Sequence, residues 1–363
     1  MTDSFLTIGI ETSCDETSCA VVADGRTILS NVISSQASFH EQFGGVVPEI
    51  ASRMHVEAIG MVISQALKEA GAVPESLGAV CVTRGPGLVG ALLVGQSAAK
   101  AFAAMYHLPL LGVHHIQGHI AANYLCTPDW EPPFMCLVAS GGHSQIIYVE
   151  DYDSFIPMAT TRDDAAGEAF DKIARVLGLG YPGGPKLEKA ALAGSATAYS
   201  FPRTRFADSF DFSFSGVKTS AIQALQKIKT EIRKEKGIAD QKQDVDLPPE
   251  IVSDFAASFQ EEITGVLSER LFACAQKEHC SKIALAGGVA ANQTLRKKLE
   301  IAAKEKGFSL SIPPLILCTD NAAMIASAGY FQHKKGYRSD LSMNASPSLD
   351  IRYGGETATA EKK

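Results

Sequence analysis

The run His114-His115-Ile116-Gln117-Gly118-His119 carries the residue types best suited to chemistry in this chain. His115 and His119 are four positions apart, so on a helix they share one face and can grip one cation. Imidazole suits zinc or iron, and a third, carboxylate ligand would complete an open site. The plainer reading is a helix start that happens to hold polar histidines. A zincin-type peptidase needs Glu directly after the first histidine to activate water, and Ile116 stands there instead, which disfavours peptide hydrolysis. Much later, Cys318-Thr319-Asp320-Asn321 precedes a helical pattern. Asp320 reads first as an N-cap, the commonest use of Asp there, although a carboxylate fixed at a helix start can also ligate a metal.

Three glycine-rich turns stand beside strands or helix starts: Ser140-Gly141-Gly142, Tyr181-Pro182-Gly183-Gly184-Pro185 and Gly287-Gly288. Such turns let backbone N–H groups approach phosphate or a developing oxyanion. Any one of them is an ordinary turn, but three together favour a nucleotide cleft. Neither G-x-x-x-x-G-K-[ST] nor a strand-linked G-x-G-x-x-G occurs, which disfavours a P-loop or Rossmann site. Asp15 and Glu16 lie in an early polar turn, where acids can face phosphate or metal. Asp163, Asp164, Glu168 and Asp171 recur at helical spacing. A helix N-terminus explains the first two; Asp171, further in, can bind hydroxyl or amine groups. The stretch Lys227, Lys229, Arg233, Lys234 and Lys236 is diluted by Glu231 and Glu235 and reads as a solvated face, with an RNA contact as the other reading.

These residues need a scaffold. Phe5 to Ile10 and Cys19 to Val22 are apolar runs flanking the turn at Ser13 to Glu16, a β-hairpin. About 120 residues on, Phe134 to Ala139 and Gln145 to Val149 repeat the pattern around Ser140–His143. Two such hairpins, each opening an α/β segment, predict two duplicated lobes with a cleft between them. Pro48 to Ala70 reads as a helix ended by Gly71, then Leu77 to Thr83 (strand), Leu88 to Met105 (helix) and Pro109 to Val113 (strand), a parallel βαβ unit. Helices are expected near Asp164 to Leu177, Val217 to Lys234 and Pro249 to Lys277. A strand at Lys282 to Ala286, a helix from Ala290 to Lys306 and a strand at Phe308 to Ile312 follow. The last helix, Asn321 to Lys335, is expected to pack back on the first lobe. Lys234 to Leu247 reads as a solvated loop, and the tail after Tyr353 as disordered.

With 363 residues, the chain can hold two domains, and 46% hydrophobic against 20% charged residues marks an ordinary soluble protein. A net charge of −7 carries no global nucleic-acid signature, so any RNA contact must use local basic patches or a partner. No secretory signal is visible at Met1 to Ile10. The longest apolar stretch, Leu88 to Met105, is broken by polar residues and glycine and spans no membrane. Eight cysteines without a C-x-x-C pair read as reduced thiols, and the expected compartment is the cytoplasm.

Several long blocks, in order and in register, resemble the TsaD family, tRNA N6-adenosine threonylcarbamoyltransferases. They are Gly9–Thr17, Gly44–Glu49 with Ala51-Ser52-Arg53, Gly85–Gly90, His114–His119, Ser140–His143, Asp163–Lys172, Asp211–Gly216 and Cys318–Asn321. The resemblance implies an α/β, actin-like ATPase (ASKHA) fold with two duplicated lobes around a nucleotide and metal cleft. It places the first lobe at 1–133, completed by a C-terminal helix in 320–353, the second at 134–319, and a tail at 354–363. It implies one divalent ion per subunit, iron or zinc, on His115, His119 and Asp320. Threonylcarbamoyl-adenylate would be bound by Val138, Ala139, Ser140, Gly141, Gly142, Asp171, Gly184, Glu188 and Asn292, with Glu16 in a catalytic role near the metal. The implied reaction moves threonylcarbamoyl to N6 of the adenosine just 3′ of the anticodon in tRNAs reading codons that begin with A, releasing AMP. The implied partners are tRNA, a paralogous TsaB-like subunit, a TsaE-like ATPase and a TsaC or Sua-type synthetase supplying the adenylate, without a membrane. Gln117 stands where the family usually has Glu, and Ser144 where it has Thr. The 234–247 loop looks like a lineage insertion. An actin-like small-molecule kinase or ATPase is the second reading and a metallopeptidase the third.

Overall fold

The structure, a computed structural model, describes residues 4–238, 240 and 245–352. The chain starts with an antiparallel hairpin, β1 (Leu6–Glu11) and β2 (Glu16–Ala23), extended by β3 (Thr27–Ser35). Then come α1 (Ala37–His40), α2 (Pro48–Ala70), β4 (Leu77–Gly85), α3 (Val89–Tyr106), β5 (Leu110–His114) and α4 (His115–Cys126). β4 pairs parallel with β1, and β5 parallel with β4, giving the sheet order β3-β2-β1-β4-β5.

The second segment repeats this plan. β6 (Phe134–Ala139), β7 (Ser144–Asp151) and β8 (Ser154–Thr160) form the antiparallel meander. Helices α5 (Ala166–Val176), α6 (Gly183–Ala191), α7 (Ser215–Glu235) and α8 (Pro249–Lys277) precede β9 (Lys282–Ala286), α9 (Gln293–Lys306) and β10 (Ser309–Ser311). β9 and β10 add parallel strands beside β6, so the order β8-β7-β6-β9-β10 matches that of the first sheet. The duplicated α/β architecture expected from the two hairpins is therefore present. The chain ends with α10 (Leu315–Cys318) and α11 (Ala322–Lys334).

Local chemistry explains the boundaries. Pro48 opens α2, and Gly71, at φ 62°, closes it with its N–H on the Leu67 and Lys68 carbonyls. The first sheet is buried on both faces: Ile8 and Ile10 pack toward Val62 and Ala66 of α2, while Ala20, Cys81 and Val113 pack toward α4 and α11. Close approach of α11 depends on glycine. A Cβ on Gly9 would come within 2.3 Å of the Ala322 carbonyl oxygen, and one on Gly118 within 2.7 Å of Ile325 Cδ1. Gln117, buried in the same seam, accepts from Gln332 and donates to the Ile351 carbonyl, a contact that a Glu carboxylate could not make.

The structure corrects several expected boundaries. The helix expected from Asp164 begins at Ala166, because Asp163 and Asp164 turn aside to bind the start of α7 and Lys218. Lys234, expected to open a loop, sits in the last turn of α7. The rest of that loop lies partly, and the tail at 354–363 wholly, outside the described residues.

Gly9→Val should cost about 3 kcal/mol of stability through overpacking against α11 backbone, read as a lower denaturant midpoint. Gly60→Ala, on an open helical position of α2, should instead gain about 0.5–1 kcal/mol.

Candidate active site and metal centre

α4 starts where β5 ends, and His114 fixes the join. Its Nδ1 accepts from the Ile116 N–H at 3.1 Å, and its Nε2 meets the Leu349 carbonyl at 3.1 Å. His115 and His119 then stand one turn apart on one face, ring centroids 4.6 Å apart. Facing them is Asp320, whose Oδ1 lies 3.5 Å from His115 Nε2 and 3.2 Å from His119 Nε2. Asp320 does not cap α11. Asn321 does, accepting from the Met324 N–H at 3.1 Å, so the carboxylate next to it is left to face the histidines.

One ligand atom from each of His115, His119 and Asp320 falls within 4.8 Å of the others, a separation at which all three can bind one ion. His119 Nδ1 is buried without a hydrogen-bond partner among the described residues. Behind His115 lies Glu11, fully buried, its Oε2 3.2 Å from His115 Nδ1. Glu11 is held in place by the Ser13 N–H and the Thr83 hydroxyl, each at 2.5 Å. A carboxylate on Nδ1 fixes the ring and turns the Nε2 lone pair toward the cleft, the usual arrangement behind a metal-bound histidine. Two imidazoles, one carboxylate and this support fit a divalent ion such as zinc or iron with a free coordination position.

The electrostatics follow from burying unlike groups together. Burial opposes charge on His115, but Asp320 and Glu11 outweigh it and lift its pKa to about 9. Burial would raise Asp320, yet His115 and His119 hold it down at about 2. Glu11 is likewise lowered despite burial, by His115. Glu16 goes the other way: burial, then Asp320 and Asp15, raise it to about 10. Burial, then His115 and His119, lower His143 to about 4. Burial and the neighbouring acids push the Cys14 thiol far up, so it is no thiolate nucleophile.

The three ligand candidates open on a cavity of about 540 Å³ between the two sheets' hairpin turns. Glu16 lines it beside Asp15 and accepts from the Ser35 hydroxyl at 3.0 Å. Ser140, Gly141 and Gly142 line the opposite side, and a Cβ on Gly141, Gly142 or Gly184 would meet nothing within 4 Å. Those glycines serve no packing need; they leave backbone open to whatever fills the cavity. Asp171 accepts from the Gly183 N–H at 2.7 Å, which ties the Pro182–Gly184 turn to α5, and burial raises its pKa. Glu188 accepts from the Gln293 N–H at 2.6 Å. Asn292 caps α9 through the Leu295 N–H and donates to Gln260, so both ends of its carboxamide are engaged. The side chains of Val138 and Ala139 are fully buried in β6 and do not line the cavity.

Ser13, His143, Phe170 and Tyr181 also line the wall, beyond the site residues the sequence points to. Glu11 is a further site residue, and its signal in the sequence is an acid closing an apolar strand.

The comparisons agree with one another. The family described as "TsaD: tRNA N6-adenosine threonylcarbamoyltransferase" matches residues 27–327. The tRNA N6-adenosine threonylcarbamoyltransferase of Clostridium botulinum strain Hall is 51% identical over 352 residues, covering 97% of this chain and 99% of the relative. That of Clostridium perfringens strain 13 is 50% identical over 353 residues, covering 96% and 99%. Among solved structures, full-length HypF in its phosphate- and nucleotide-bound form matches with TM-score 0.58 at 14% identity, covering 92% of this chain and 55% of HypF. HypF of T. kodakarensis gives 0.59 at 14%, covering 92% and 48%. At that identity the likeness shows the fold, an actin-like ATPase (ASKHA) arrangement.

Glu11→Gln keeps the shape behind His115 but removes its charge. Zinc affinity, measured by chelator competition, should fall about 10- to 100-fold. Unchanged affinity would remove Glu11 from the centre.

Proposed function

The chain belongs to the TsaD family of tRNA N6-adenosine threonylcarbamoyltransferases, and from that premise we propose that its interlobe cavity is where the activated threonylcarbamoyl group meets tRNA. The protein is a transferase that forms N6-threonylcarbamoyladenosine in tRNA. In our reading the donor is threonylcarbamoyl-adenylate and the acceptor is the adenosine immediately 3′ of the anticodon in tRNAs reading codons that begin with A. The observation that carries this reading is the His115–His119–Asp320 cluster on the same cavity as the open Gly141-Gly142 backbone.

The chemistry explains why these parts belong together. The adenine amine is a weak nucleophile, because its lone pair is delocalised into the ring, and it needs an activated carbonyl. A mixed anhydride with AMP supplies one. The N6–C bond forms, the C–O bond to phosphate breaks, AMP leaves with the electron pair, and one N6 proton is lost. An iron or zinc ion held by His115, His119 and Asp320 would supply fixed positive charge for phosphate and carbamoyl oxygens. The N–H groups of Gly141 and Gly142 stabilise the oxyanion. Ser140, Gly184 and Asp171 position the adenylate, with Glu188 and Asn292 shaping the wall beside α9. Val138 and Ala139 act through the β6 backbone that carries the glycine turn. Asp15 or Glu16, side by side on the cavity wall, assists loss of the N6 proton.

A small-molecule kinase would use the same fold, but it has no need of two imidazoles and a carboxylate converging beside the nucleotide. We propose that residues 1–133 with 320–353 form one lobe and 134–319 the other. The uncharged, exposed face of α3, including Val89, Leu93 and Met105, supports docking of a paralogous TsaB-like subunit. A TsaE-like ATPase and a TsaC or Sua-type synthetase complete the set. Among the described residues no helix is long and apolar enough to cross a membrane, in keeping with the cytoplasmic location we propose.

His115→Ala, His119→Ala and Asp320→Ala should each abolish product and metal content together. The test supplies tRNA, threonine, bicarbonate, ATP and the synthetase with its partners, then reads modified adenosine by mass spectrometry and bound metal by elemental analysis. Full transfer by a metal-free variant would refute the assignment.

A further inference from the structure

A second cavity, of about 480 Å³, lies beside the one that holds the metal cluster. Pro86 and His143 line both. Its far wall is the segment Leu349–Arg352, which the His114 imidazole fastens through the Leu349 carbonyl at 3.1 Å. Its floor comes from β7 and β8, where Gln145 stands opposite Thr160. The Gln145 Oε1 is buried without a hydrogen-bond partner among the described residues, a costly arrangement that a ligand N–H would relieve. None of the site residues expected from the sequence or from the family lies here.

We propose that this second cavity, behind His143, receives the acceptor adenine of tRNA, with the Gln145 carboxamide reading its amine-bearing edge. The proposal rests on the reading that the adenylate occupies the larger cavity. That occupancy creates a need for another opening: the adenine amine must reach the acyl carbon while AMP still fills the first space, so the acceptor and the leaving group need separate routes. The two cavities adjoin at Pro86 and His143, so a base in the second stands next to the space that holds the adenylate.

The lining fits the ligand. Adenine offers an N6 donor next to a ring-nitrogen acceptor, and a carboxamide answers with one acceptor and one donor, the pairing by which Asn and Gln recognise adenine elsewhere. A base in an anticodon loop can be splayed out without breaking a duplex. Thr160 and Pro157 leave the rim open to solvent, and Arg352 on the same rim is exposed and paired with Asp350 at 2.6 Å.

The test compares Gln145→Ala, and Thr160→Trp, which fills the cavity from an exposed strand position, with the wild type in the full partner complex. Steady-state transfer to tRNA is measured at saturating adenylate, and AMP affinity is measured by calorimetry. The expected result is that KM for tRNA rises about tenfold to a hundredfold in both variants while AMP affinity holds. Wild-type KM in both variants overturns the acceptor site. So does AMP affinity that falls in step with transfer, because the cavity then belongs to the donor. A wild-type enzyme that forms no product takes the functional reading down as well, and is told apart by the control alone.

Discussion

His115 is a buried imidazole between the buried carboxylate of Glu11, at the end of β1, and the partly exposed carboxylate of Asp320, just before α11, and much of the structure is arranged around that placement. Two acids brought this close in a dry site repel each other and lose hydration, so they persist only where positive charge is supplied. The protein's own response is to lift His115 to about 9. A divalent ion held by His115, His119 and Asp320 would meet the same demand at the wall of the cavity. The cluster is thus a preorganised seat for cationic charge, with Glu11 setting the tautomer that faces it.

The duplicated fold explains how residues about 200 positions apart reach that seat. Each lobe turns its first hairpin toward the cleft, so Ser13–Glu16 and Ser140–His143 face each other across it. α4 leaves β5 at the same level and carries both histidines. α11 can lie against β1 and α4 because Gly9 and Gly118 have no side chain to hold it off. Gln117 ties that seam to the C-terminal segment, which in turn walls the second cavity. The packing of α11 and the convergence of His115, His119 and Asp320 are therefore consequences of one helix–helix contact.

Much of this was legible in the residues. The i, i+4 histidines declared a shared helical face, Pro48 and Gly71 marked both ends of α2, and the repeated hairpin announced the two lobes. What escaped depended on partners distant in sequence. Nothing local says that Asn321 rather than Asp320 caps α11, or that Glu11 backs His115 across 104 positions. The outer strands β3 and β8 were missed because edge strands are less apolar, and β8 tolerates Pro157 only at an edge. Val138 and Ala139, next to the glycine turn in sequence, bury their side chains on opposite faces of β6, because both faces of that sheet are covered.

The most direct test of the central claim is anomalous diffraction at the metal edge from crystals of active enzyme. The account predicts one peak per subunit, about 2.0–2.2 Å from the His115 and His119 nitrogens and an Asp320 oxygen. An active enzyme whose peak lies elsewhere, or that shows none, would contradict it.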